Sequence, residues 1–323
     1  MNYQLAIVII NYKTPQMLID CLESLLPELL EVNAKVVVVD NLSQDDSLQI
    51  IQQWINESSA RSFVQLIASP KNSGFSGGNN IGITAVEAEF YLLLNSDTIV
   101  RKGAIFTLLS AAINNDEAGL VSPRLEWLDA RPQESCFRFH TPVSELISSA
   151  NTGVITKILG KYNVPFAVSE LSAFYDWTSF ACVLVRAQVL KDVGLMDDGY
   201  FMYFEDVAFS YQAQQAGWKV LNEPRAHVVH LRGGSSPLKS QMKQRKRLPR
   251  YYYESRTRFY CQVYGLTGLL MANLFWTMGY GISLLRFLLS PSVMLNVSAY
   301  QWRDIWINFL QPLKKYTPPD NYK

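Results

Sequence analysis

The stretch FYLLLNSDT, from Phe90 to Thr98, decides the fold class. Its first five residues are apolar or aromatic, a run of the kind found in parallel strands that are buried on both faces. The run stops at Asn95-Ser96-Asp97. Ligands of open α/β sheets bind beyond the carboxyl ends of the strands, and a carboxylate there can hold a divalent cation against a diphosphate, because hard cations prefer oxygen ligands. The same three residues also form ordinary turns, so the flanking sequence has to separate the two interpretations.

Apolar runs alternate with helical patterns before this stretch, which predicts a parallel sheet with right-handed crossovers. The predicted strands are residues 4–10, 35–39 and 63–68. Thr14-Pro15 is typical of a helix start, with Thr14 as the cap and the proline in its tolerated first-turn position. Ser43 with Asp46 predicts a variant capping box for the second helix.

A glycine cluster lies between the third strand and the central one, in Asn72-Ser73-Gly74-Phe75-Ser76-Gly77-Gly78-Asn79-Asn80-Ile81-Gly82. It is neither the dinucleotide motif, which should follow the first strand, nor a Walker loop, because no Gly-Lys-Ser/Thr occurs. Glycines allow the backbone to approach a ligand closely or to adopt positive φ. A ligand-binding loop and a tight turn are both open on this spacing.

The middle of the chain is less regular. Residues 103–114 are predicted as a helix and 119–125 as a strand, whereas 126–176 has prolines and no clear period, which predicts an irregular insertion that serves as a lid or substrate wall. A regular pattern returns over residues 176–186, and a helix that ends near Ala216 follows. Two further strands are predicted, at 218–221 and 226–230.

The bulk composition bounds the class of protein. The 323 residues, 49% of them hydrophobic and 18% charged, suffice for one large or two ordinary domains. The net charge of +1 argues against a nucleic-acid partner, since such binders are strongly basic. The four scattered cysteines contain no C-x-x-C pair, which argues against a disulfide framework and a zinc site.

The C-terminal quarter combines a basic cluster with an uncharged run from Phe259 to Leu285. A solvated linker and a buried helix would explain them, but the basic flank suits an anionic membrane leaflet and the aromatic residues suit its interface. We therefore expect a segment on the membrane surface or re-entrant, with a single span as the alternative. A second amphipathic helix is expected around Trp302, Ile305, Trp306, Phe309 and Leu310. The basic residues are Lys239, Lys243, Arg245, Lys246, Arg247, Arg250, Arg256 and Arg258, and the aromatic ones Tyr251, Tyr252, Tyr253, Tyr260, Trp276 and Tyr280.

Seven motifs in order make the chain closely resemble the inverting family-2 glycosyltransferases, especially their rhamnosyltransferase-like members. Each motif is weak alone, and together they cover about the first three-quarters of the chain. They are Ile9-Ile10-Asn11-Tyr12-Lys13, Val39-Asp40-Asn41-x-Ser43, Asn72-x-Gly74-Phe75-x-Gly77-Gly78-Asn79-Asn80, Leu94-Asn95-x-Asp97-Thr98, Asp176-Trp177, Phe201-Met202-Tyr203-Phe204-Glu205-Asp206-Val207 and His230-x-x-Gly233-Gly234-Ser235-Ser236.

The resemblance implies an α/β fold of the GT-A type, with residues 1–125 as the nucleotide-sugar half, 126–236 as the acceptor half and 237–323 as a basic, membrane-associated helical region. It implies that Asp40 binds the nucleotide base and that Asp97, with His230, binds a divalent cation, Mg or Mn. Asn95 stands where the family's Asp-x-Asp motif has its first carboxylate, so one acid is present where two are common. The expected donor-binding residues are Asn11, Tyr12, Asp40, Asn41, Gly74, Phe75, Gly77, Gly78, Asn79, Asn95, Ser96 and Asp97.

Sugar transfer also needs a base that accepts the proton of the acceptor hydroxyl. Glu205 and Asp206 lie in an aromatic run where burial could tune a carboxylate, although acids at a helix start also interact favourably with the helix dipole. The resemblance favours Asp206 as the base and leaves Glu205 to bind the acceptor or to orient the loop. Trp177 and Thr178 are expected to contact the acceptor.

The resulting expectation is an inverting transferase that moves a sugar, rhamnose, from dTDP-rhamnose or a UDP-sugar to a saccharide. The acceptor is expected to be lipid-linked, at the cytoplasmic side of the cell membrane, in the synthesis of cell-surface polysaccharide. Two rivals stay open: a nucleotidyltransferase, which should carry a basic glycine-rich loop where this chain has Asn11-Tyr12-Lys13-Thr14-Pro15, and a non-catalytic scaffold, for which Asn95 is the hint.

Overall fold

The structure is a computed structural model that describes residues 3–30, 32–232, 238–290 and 297–319, without the side chains of Ala60 and residues 238–240. It divides into two compact units. The first unit comprises Met1–Phe137, Ala167–Asp198 and Glu205–Ser235, and the second Arg138–Phe166, Gly199–Phe204 and Ser236–Lys323. Residues 138–166, which we expected in the acceptor half, thus group with the C-terminal region.

A nine-stranded sheet forms the centre of the first unit, in the order β3-β2-β1-β4-β10-β6-β11-β5, with β8 paired to β11. Strands β7 and β9 form a separate pair. The strands are β1 Tyr3–Asn11, β2 Ala34–Asp40, β3 Val64–Ala68, β4 Ala88–Asn95, β5 Thr98–Val100, β6 Ala118–Glu126, β7 Cys136–Phe137, β8 Ala173–Tyr175, β9 Trp177–Thr178, β10 Cys182–Arg186 and β11 Lys219–His230.

The sheet is mixed, so the prediction of a parallel sheet is correct for β3, β2, β1 and β4 but not throughout. Strand β10 lies antiparallel between β4 and β6, and β5 is antiparallel to β11. The two strands predicted at 218–221 and 226–230 are one strand, β11. Its pairing is irregular between Glu223 and His227, where Pro224 has no N–H to donate to a neighbour.

Six helices of the first unit cover the two faces of the sheet, because alternate strand residues point to opposite sides. Leu5, Ile7 and Ile9 of β1 pack in one core with the α1 residues Leu18 and Leu22. The intervening Ala6 and Val8 pack in a second core with α3 and α8 residues. The helices are α1 Pro15–Leu25, α2 Ser47–Glu57, α3 Gly74–Thr84, α4 Ala104–Ile113, α7 Ala187–Val193 and α8 Glu205–Gln215.

Neither predicted helix cap forms. The side chain of Thr14 makes no capping hydrogen bond to α1 and instead contacts Ser96 Oγ at 3.3 Å. Ser43 does not cap α2, whose N-cap is Asp46; its hydroxyl and N–H bond the side chain of Asp40 instead. Both hydroxyls thus form hydrogen bonds with side chains at the carboxyl edge of the sheet. These side chains compete with the helix N–H groups for the hydroxyls.

The glycine cluster is helical, since α3 begins at Gly74 itself. Two of its glycines permit a close approach of this helix to β1. A Cβ on Gly78 would lie 2.9 Å from the Ile10 side chain, and one on Gly82 would lie 2.3 Å from that of Val8. We expected residues 74–79 to form a loop, and that prediction is wrong because they are helical. The close packing of α3 on β1 explains why positions 78 and 82 are glycines.

The second unit is helical. It includes residues 138–166 of the predicted irregular insertion 126–176, and the prediction is wrong for the part of them that forms α5 and α6. Thr141 and Ser144 form a capping box that starts α5, with Pro142 in the first turn. Helix α5 packs along α10, where a Cβ on Gly279 would meet Ser149 Oγ at 2.1 Å. The remaining bounds are α5 Pro142–Ala150, α6 Gly153–Ile158, α9 Leu238–Lys243, α10 Arg250–Leu289 and α11 Gln301–Asp304.

Helix α10 is interrupted at Gly265, whose φ of 69° and ψ of −175° are not helical. Within the described ranges, α10 has the length and apolar composition to cross a membrane, and a third of its most apolar stretch is buried. Length and composition alone are weak evidence for a span, because core helices can share both. The expected second amphipathic helix is reduced to α11, since residues 305–310 form turns.

The structure corrects the expected membrane-facing residues. Tyr251, Tyr253, Tyr260 and Trp276 are buried rather than interfacial. Of the basic cluster, Arg256 is buried against Glu145, Arg247 pairs with Asp304, Arg250 pairs with Glu254, and Arg258 donates to the Leu313 carbonyl. The side chain of Lys239 lies outside the described residues. We had expected these arginines to face the membrane because they are clustered in the sequence. Such a cluster does not show which face of a helix each side chain occupies.

Candidate functional site

The carboxyl ends of three neighbouring strands align at one edge of the first unit's sheet. Asn11 at the end of β1 pairs with Asp40 at the end of β2, and Ile10 pairs with Asn95 at the end of β4. The predicted donor-binding residues of the three strands therefore lie together. They had been singled out in sequence because each follows an apolar run.

The antiparallel strands bring more distant residues to the same edge. The Asn95 N–H donates to the carbonyl of Ala181, just before β10, at 2.9 Å. Thr98 at the start of β5 pairs with His230 at the end of β11. Segments around residues 95, 180 and 230 are thus joined by backbone pairing, which no local pattern in the sequence could have indicated.

Asp40 holds the turn that follows β1 and is 1% exposed. Its Oδ1 accepts hydrogen bonds from Asn11 Nδ2, at 2.8 Å, and from Ser43 Oγ, while its Oδ2 accepts one from the Ser43 N–H at 3.1 Å. A carboxylate has about four acceptor positions, so one remains beyond these three bonds. Base recognition by Asp40 stays a prediction.

Asn41 fixes the start of α3 through its amide. Its Nδ2 donates to Asn72 Oδ1 and to the Gly74 carbonyl, both at 3.0 Å, and its Oδ1 accepts from the Ser73 N–H at 3.1 Å. Of the other predicted donor-binding residues, Gly74, Gly77, Gly78 and Asn79 are buried, Phe75 is partly buried against the core, and Tyr12 is half-exposed. Their contact with a donor stays a prediction.

Asp97 and His230 converge, with Asp97 Oδ1 3.4 Å from His230 Nε2. The Leu231 N–H donates to the Asp97 carbonyl at 2.9 Å, which fixes the two segments relative to each other. His230 Nδ1 is buried and has no hydrogen-bond partner among the described residues. Gln133, which the motif search did not single out, supports this pair because its Nε2 donates to the His230 carbonyl at 2.8 Å.

These two side chains fit a cation that takes few protein ligands. Within the described residues, no group of three or more His, Cys, Asp or Glu side chains is arranged to hold a metal ion. Magnesium commonly binds through one or two carboxylates and completes its shell with substrate phosphates and water. Asp97 offers one such carboxylate at the carboxyl edge of the sheet, and the neighbouring imidazole of His230 could add a nitrogen ligand.

Arg232 is a further site residue that the sequence did not reveal. Its guanidinium bonds Gln133 Oε1 and the Glu134 carbonyl and lies over the Trp127 ring at 5.4 Å. Burial lowers the pKa of Arg232, while the charges of Glu134 and Asp97 raise it, so the cation is close enough to Asp97 to feel its charge. Residues 233–236, the rest of the last motif, lie outside the described residues.

Helix α8 begins with Glu205 and Asp206, and burial raises the pKa of both. Glu205 is 8% exposed, its Oε2 has no hydrogen-bond partner in the described structure, and burial followed by the Asp206 charge raises its pKa well above the ordinary value. Burial raises the pKa of Asp206 to about 7, against the lowering effect of backbone N–H groups that include Phe180. Asp206 retains partial contact with solvent. Both carboxyl groups therefore bind a proton more readily than free side chains do, and the raised pKa of Asp206, about 7, lies close to neutral pH.

Trp177 and Thr178 lie on β9, in the segment that leads to Phe180. Trp177 stacks on Phe137 with ring centroids 4.3 Å apart, and Thr178 Oγ1 donates to the Ser135 carbonyl at 3.0 Å. Both residues are buried. The structure thus gives them a role in packing, and their contact with an acceptor stays a prediction.

The comparisons with known proteins agree on one family. The family model described as "Glycosyl transferase family 2" matches residues 6–168. Low-salt glycan biosynthesis hexosyltransferase Agl10 of Haloferax volcanii is 26% identical over 215 residues, which are 65% of this chain and 62% of the relative. N-acetylglucosaminyl-diphospho-decaprenol L-rhamnosyltransferase of Mycobacterium tuberculosis is 27% identical over 222 residues, 62% of this chain and 67% of the relative. The matches thus span about two-thirds of the relatives' length.

Solved structures extend the likeness to almost the whole chain. GalNAc-T7, solved with UDP, GalNAc and Mn2+, superposes with a TM-score of 0.60 at 14% identity and covers 97% of this chain and 59% of its own. The mannosyltransferase PcManGT of Pyrobaculum calidifontis, solved with GDP-Man and Mn2+, has a TM-score of 0.55 at 10% identity, with 97% and 86% covered. At such identities the likeness concerns the fold, which is of the GT-A type.

Proposed function

Because the chain belongs to glycosyl transferase family 2, we propose that it transfers a sugar from a nucleoside-diphosphate donor to a saccharide acceptor with inversion at the anomeric carbon. The observation that carries this proposal is the acidic pair at the start of α8, in which burial raises the pKa of Glu205 well above its ordinary value and that of Asp206 to about 7. A general base is most effective when its pKa lies near the working pH.

In the proposed reaction Asp206 accepts the proton of the acceptor hydroxyl. The hydroxyl oxygen forms a bond to the anomeric carbon, the bond from that carbon to the diphosphate breaks, and the nucleoside diphosphate leaves with the electron pair. One displacement inverts the configuration. The partial exposure of Asp206 supports this role, since an acceptor has to reach its carboxylate.

Asp97 and His230 would hold a divalent cation, Mg or Mn, together with diphosphate oxygens and water. Such a cation stabilises the negative charge that develops on the leaving diphosphate. The convergence of the two side chains at 3.4 Å supports this. Two of the structural neighbours were solved with Mn2+ beside a nucleotide or nucleotide sugar.

We propose rhamnose as the sugar, from dTDP-rhamnose, and a lipid-linked saccharide of cell-surface polysaccharide synthesis as the acceptor. The mycobacterial relative is named as a rhamnosyltransferase acting on a sugar-diphospho-decaprenol, and WbbL of Escherichia coli, 24% identical over 164 residues, as a rhamnosyltransferase. A UDP-sugar is the alternative donor, and TarS of S. aureus, whose structure with UDP-GlcNAc has a TM-score of 0.53, supports it.

We propose further that the second unit attaches the enzyme to the cytoplasmic side of the membrane as a peripheral protein. Leu266, Leu270, Leu274 and Met278 recur every four residues on α10 and are between 38% and 57% exposed, so they form one apolar face of the helix. The exposed Trp302, Trp306 and Leu310 add interfacial side chains. An apolar face of this kind lies in the headgroup region, and nearby cations such as Lys243 and Lys246 attract anionic lipids.

A donor panel tests the proposal. The full-length chain is incubated with dTDP-rhamnose, UDP-GlcNAc or GDP-mannose and a lipid-linked saccharide, and the products are identified by mass spectrometry and the anomeric configuration by NMR. We expect a new glycoside with inverted configuration and release of nucleoside diphosphate, both lost in Asp206→Asn. A nucleotidyltransferase would instead use added pyrophosphate to convert the nucleotide sugar into a nucleoside triphosphate and a sugar 1-phosphate, and donor binding without any product would reveal a scaffold.

A further inference from the structure

The second unit contains a cavity of about 340 Å³ whose lining residues all belong to that unit. Its walls come from α5, from residues 162–165, from α10 and from residues 297–301. Ligand sites for small molecules have volumes of about 300–1,000 Å³ and combine apolar walls with a few convergent polar groups. The cavity is large enough for one sugar ring but not for an extended oligosaccharide.

A buried polar network reaches the cavity through Glu145 and Arg256, which both belong to its lining. Arg256, 3% exposed, donates from Nε to Glu145 Oε1 at 3.0 Å and from Nη1 to Asn273 Oδ1 at 2.7 Å. The Tyr260 hydroxyl donates to the same Glu145 oxygen at 2.8 Å. Arg256 Nη2 and Asn273 Nδ2, two donors on adjacent side chains, have no acceptor among the described residues. Buried donors are nearly always satisfied, so this network calls for an oxygen acceptor.

The charge balance indicates that the acceptor belongs to a neutral molecule. Arg256 and Glu145 form a buried ion pair, and no other Asp, Glu, Lys or Arg among the described residues lines the cavity. His140, also in the lining, is neutral, because burial lowers its pKa to about 4. A phosphate or carboxylate would add a charge with no cation left to balance it, and burying such a charge is costly.

Aromatic side chains form much of the remaining wall. Trp276 is 2% exposed and stacks with Tyr280 at a centroid distance of 5.4 Å, which fixes its ring. Phe204 and Tyr252 also line the cavity, with centroids 5.7 Å apart. Sugar rings present hydroxyl groups at their edges and C–H groups on their faces, and rigid aromatic rings pack well against such faces.

We propose that this cavity binds one neutral sugar ring, one of whose hydroxyl oxygens accepts a hydrogen bond from Arg256 and whose apolar face packs on the aromatic wall. The lining residues of this site all belong to the second unit, and none of them is a predicted donor-binding residue of the first unit. The identification of its ligand with a sugar of the acceptor rests on the proposed function, whereas the binding itself can be measured without any transfer.

Direct binding tests the inference. Ligand-observed NMR with the full-length chain and free L-rhamnose, D-glucose or N-acetylglucosamine should show saturable binding of at least one of them, with inorganic phosphate as the anionic probe. Arg256→Lys keeps the positive charge beside Glu145 but removes the guanidinium fork, and it should weaken sugar binding at least tenfold. Because Arg256→Lys could fail to fold, we use Ser148→Tyr as a second variant. Ser148 lies at an exposed position on α5, and a tyrosine there should obstruct the cavity. Ser62→Tyr, which changes an exposed serine of the first unit, is the control.

We expect Ser148→Tyr to abolish sugar binding and Ser62→Tyr to leave it unchanged. Binding of phosphate in preference to the sugars, equal binding by both tyrosine variants, or no binding of any sugar would each overturn the inference. Sugar transfer, measured separately with the donor panel, keeps the two proposals distinct. Transfer without binding refutes the cavity assignment alone, and binding without transfer refutes the proposed function alone.

Discussion

The pair Glu205 and Asp206 at the start of α8 permits a test in which activity and stability change in opposite directions. We consider the substitutions Asp206→Asn and Glu205→Gln. The first removes the proposed base, which typically lowers a rate about 10²- to 10⁴-fold. The second replaces a buried carboxyl group, whose pKa burial raises well above the ordinary value, by an amide of the same shape, so it should leave kcat within about tenfold.

The pH dependence follows from the pKa of Asp206, which burial raises to about 7. A base has to be ionised, so kcat/KM of the unmodified enzyme should fall about tenfold per pH unit below that value. In Glu205→Gln the acidic limb should stay within about half a pH unit of its original position, because burial is the main cause of the raised pKa of Asp206. If the roles were reversed, Glu205→Gln would abolish turnover and Asp206→Asn would retain it.

The same raised pKa of Asp206 predicts a change in stability. An acid whose folded pKa exceeds its unfolded value binds more protons in the native state between the two, so the free energy of unfolding falls as pH rises from about 3.8 to about 7. The full difference between the folded and unfolded pKa of Asp206 corresponds to about 4 kcal/mol of unfolding free energy. Because Asp206 keeps contact with solvent, we expect the unfolding free energy to change by roughly half of that value. Asp206→Asn should therefore unfold at the same temperature as the unmodified chain near pH 4 and about 5 °C higher near pH 8.

The measurements are initial rates from pH 5.5 to 9 with saturating donor, and thermal unfolding from pH 4 to 8. Nucleotide binding to Asp206→Asn, measured by calorimetry, is the control, and it should match that of the unmodified chain because the base does not contact the nucleotide. An Asp206→Asn variant that retains most of its kcat would refute the assignment of the base. A Tm difference that is independent of pH would refute the raised pKa.

Three further predictions concern the cation, the helix packing and the membrane. Asp97→Asn should lower Mn²⁺-stimulated donor binding and transfer together, because one of two candidate ligands loses its charge; full activity of the unmodified enzyme in excess chelator would contradict a cation role. Gly82→Ala should lower Tm by several degrees, since its Cβ would lie 2.3 Å from the Val8 side chain, and an unchanged melting curve would count against the close packing of α3 on β1. Leu274→Lys should reduce sedimentation with anionic vesicles severalfold, whereas Phe106→Lys, at an exposed site of the first unit, should not; equal losses would exclude α10 as the membrane contact.

Local patterns were sufficient for the central strands of the first unit. The strands β1, β2 and β4 contain apolar runs that end in polar residues, and their bounds agree with the predictions to within two residues. The predicted caps Thr14 and Ser43 were wrong because their hydroxyls bond partners across the sheet edge, Ser96 and Asp40. A capping pattern is local, whereas these competing partners are distant in sequence.

The second unit was harder to predict, because its helices gain their apolar partners from distant segments. Helix α5 has a short, serine-rich sequence, and its buried face is recognisable only beside α10. The arginine at 256 looked like part of a basic flank, but the carboxylate that pairs with it, Glu145, is 111 residues away. The sequence therefore indicated the charges correctly and their environment wrongly.

Asn95 shows how the site can differ from the Asp-x-Asp pattern and keep its geometry. The position serves through its backbone: its N–H donates to Ala181, and its carbonyl accepts from Thr98 Oγ1 at 2.7 Å. These bonds do not depend on the side chain, so asparagine can stand there without disturbing the edge. Asp97 then remains as the carboxylate, beside His230 and within the field of Arg232. A site with one acid beside Arg232 is less negative than one with two acids, and it should rely more on the arginine to balance the diphosphate than a site with two acids would.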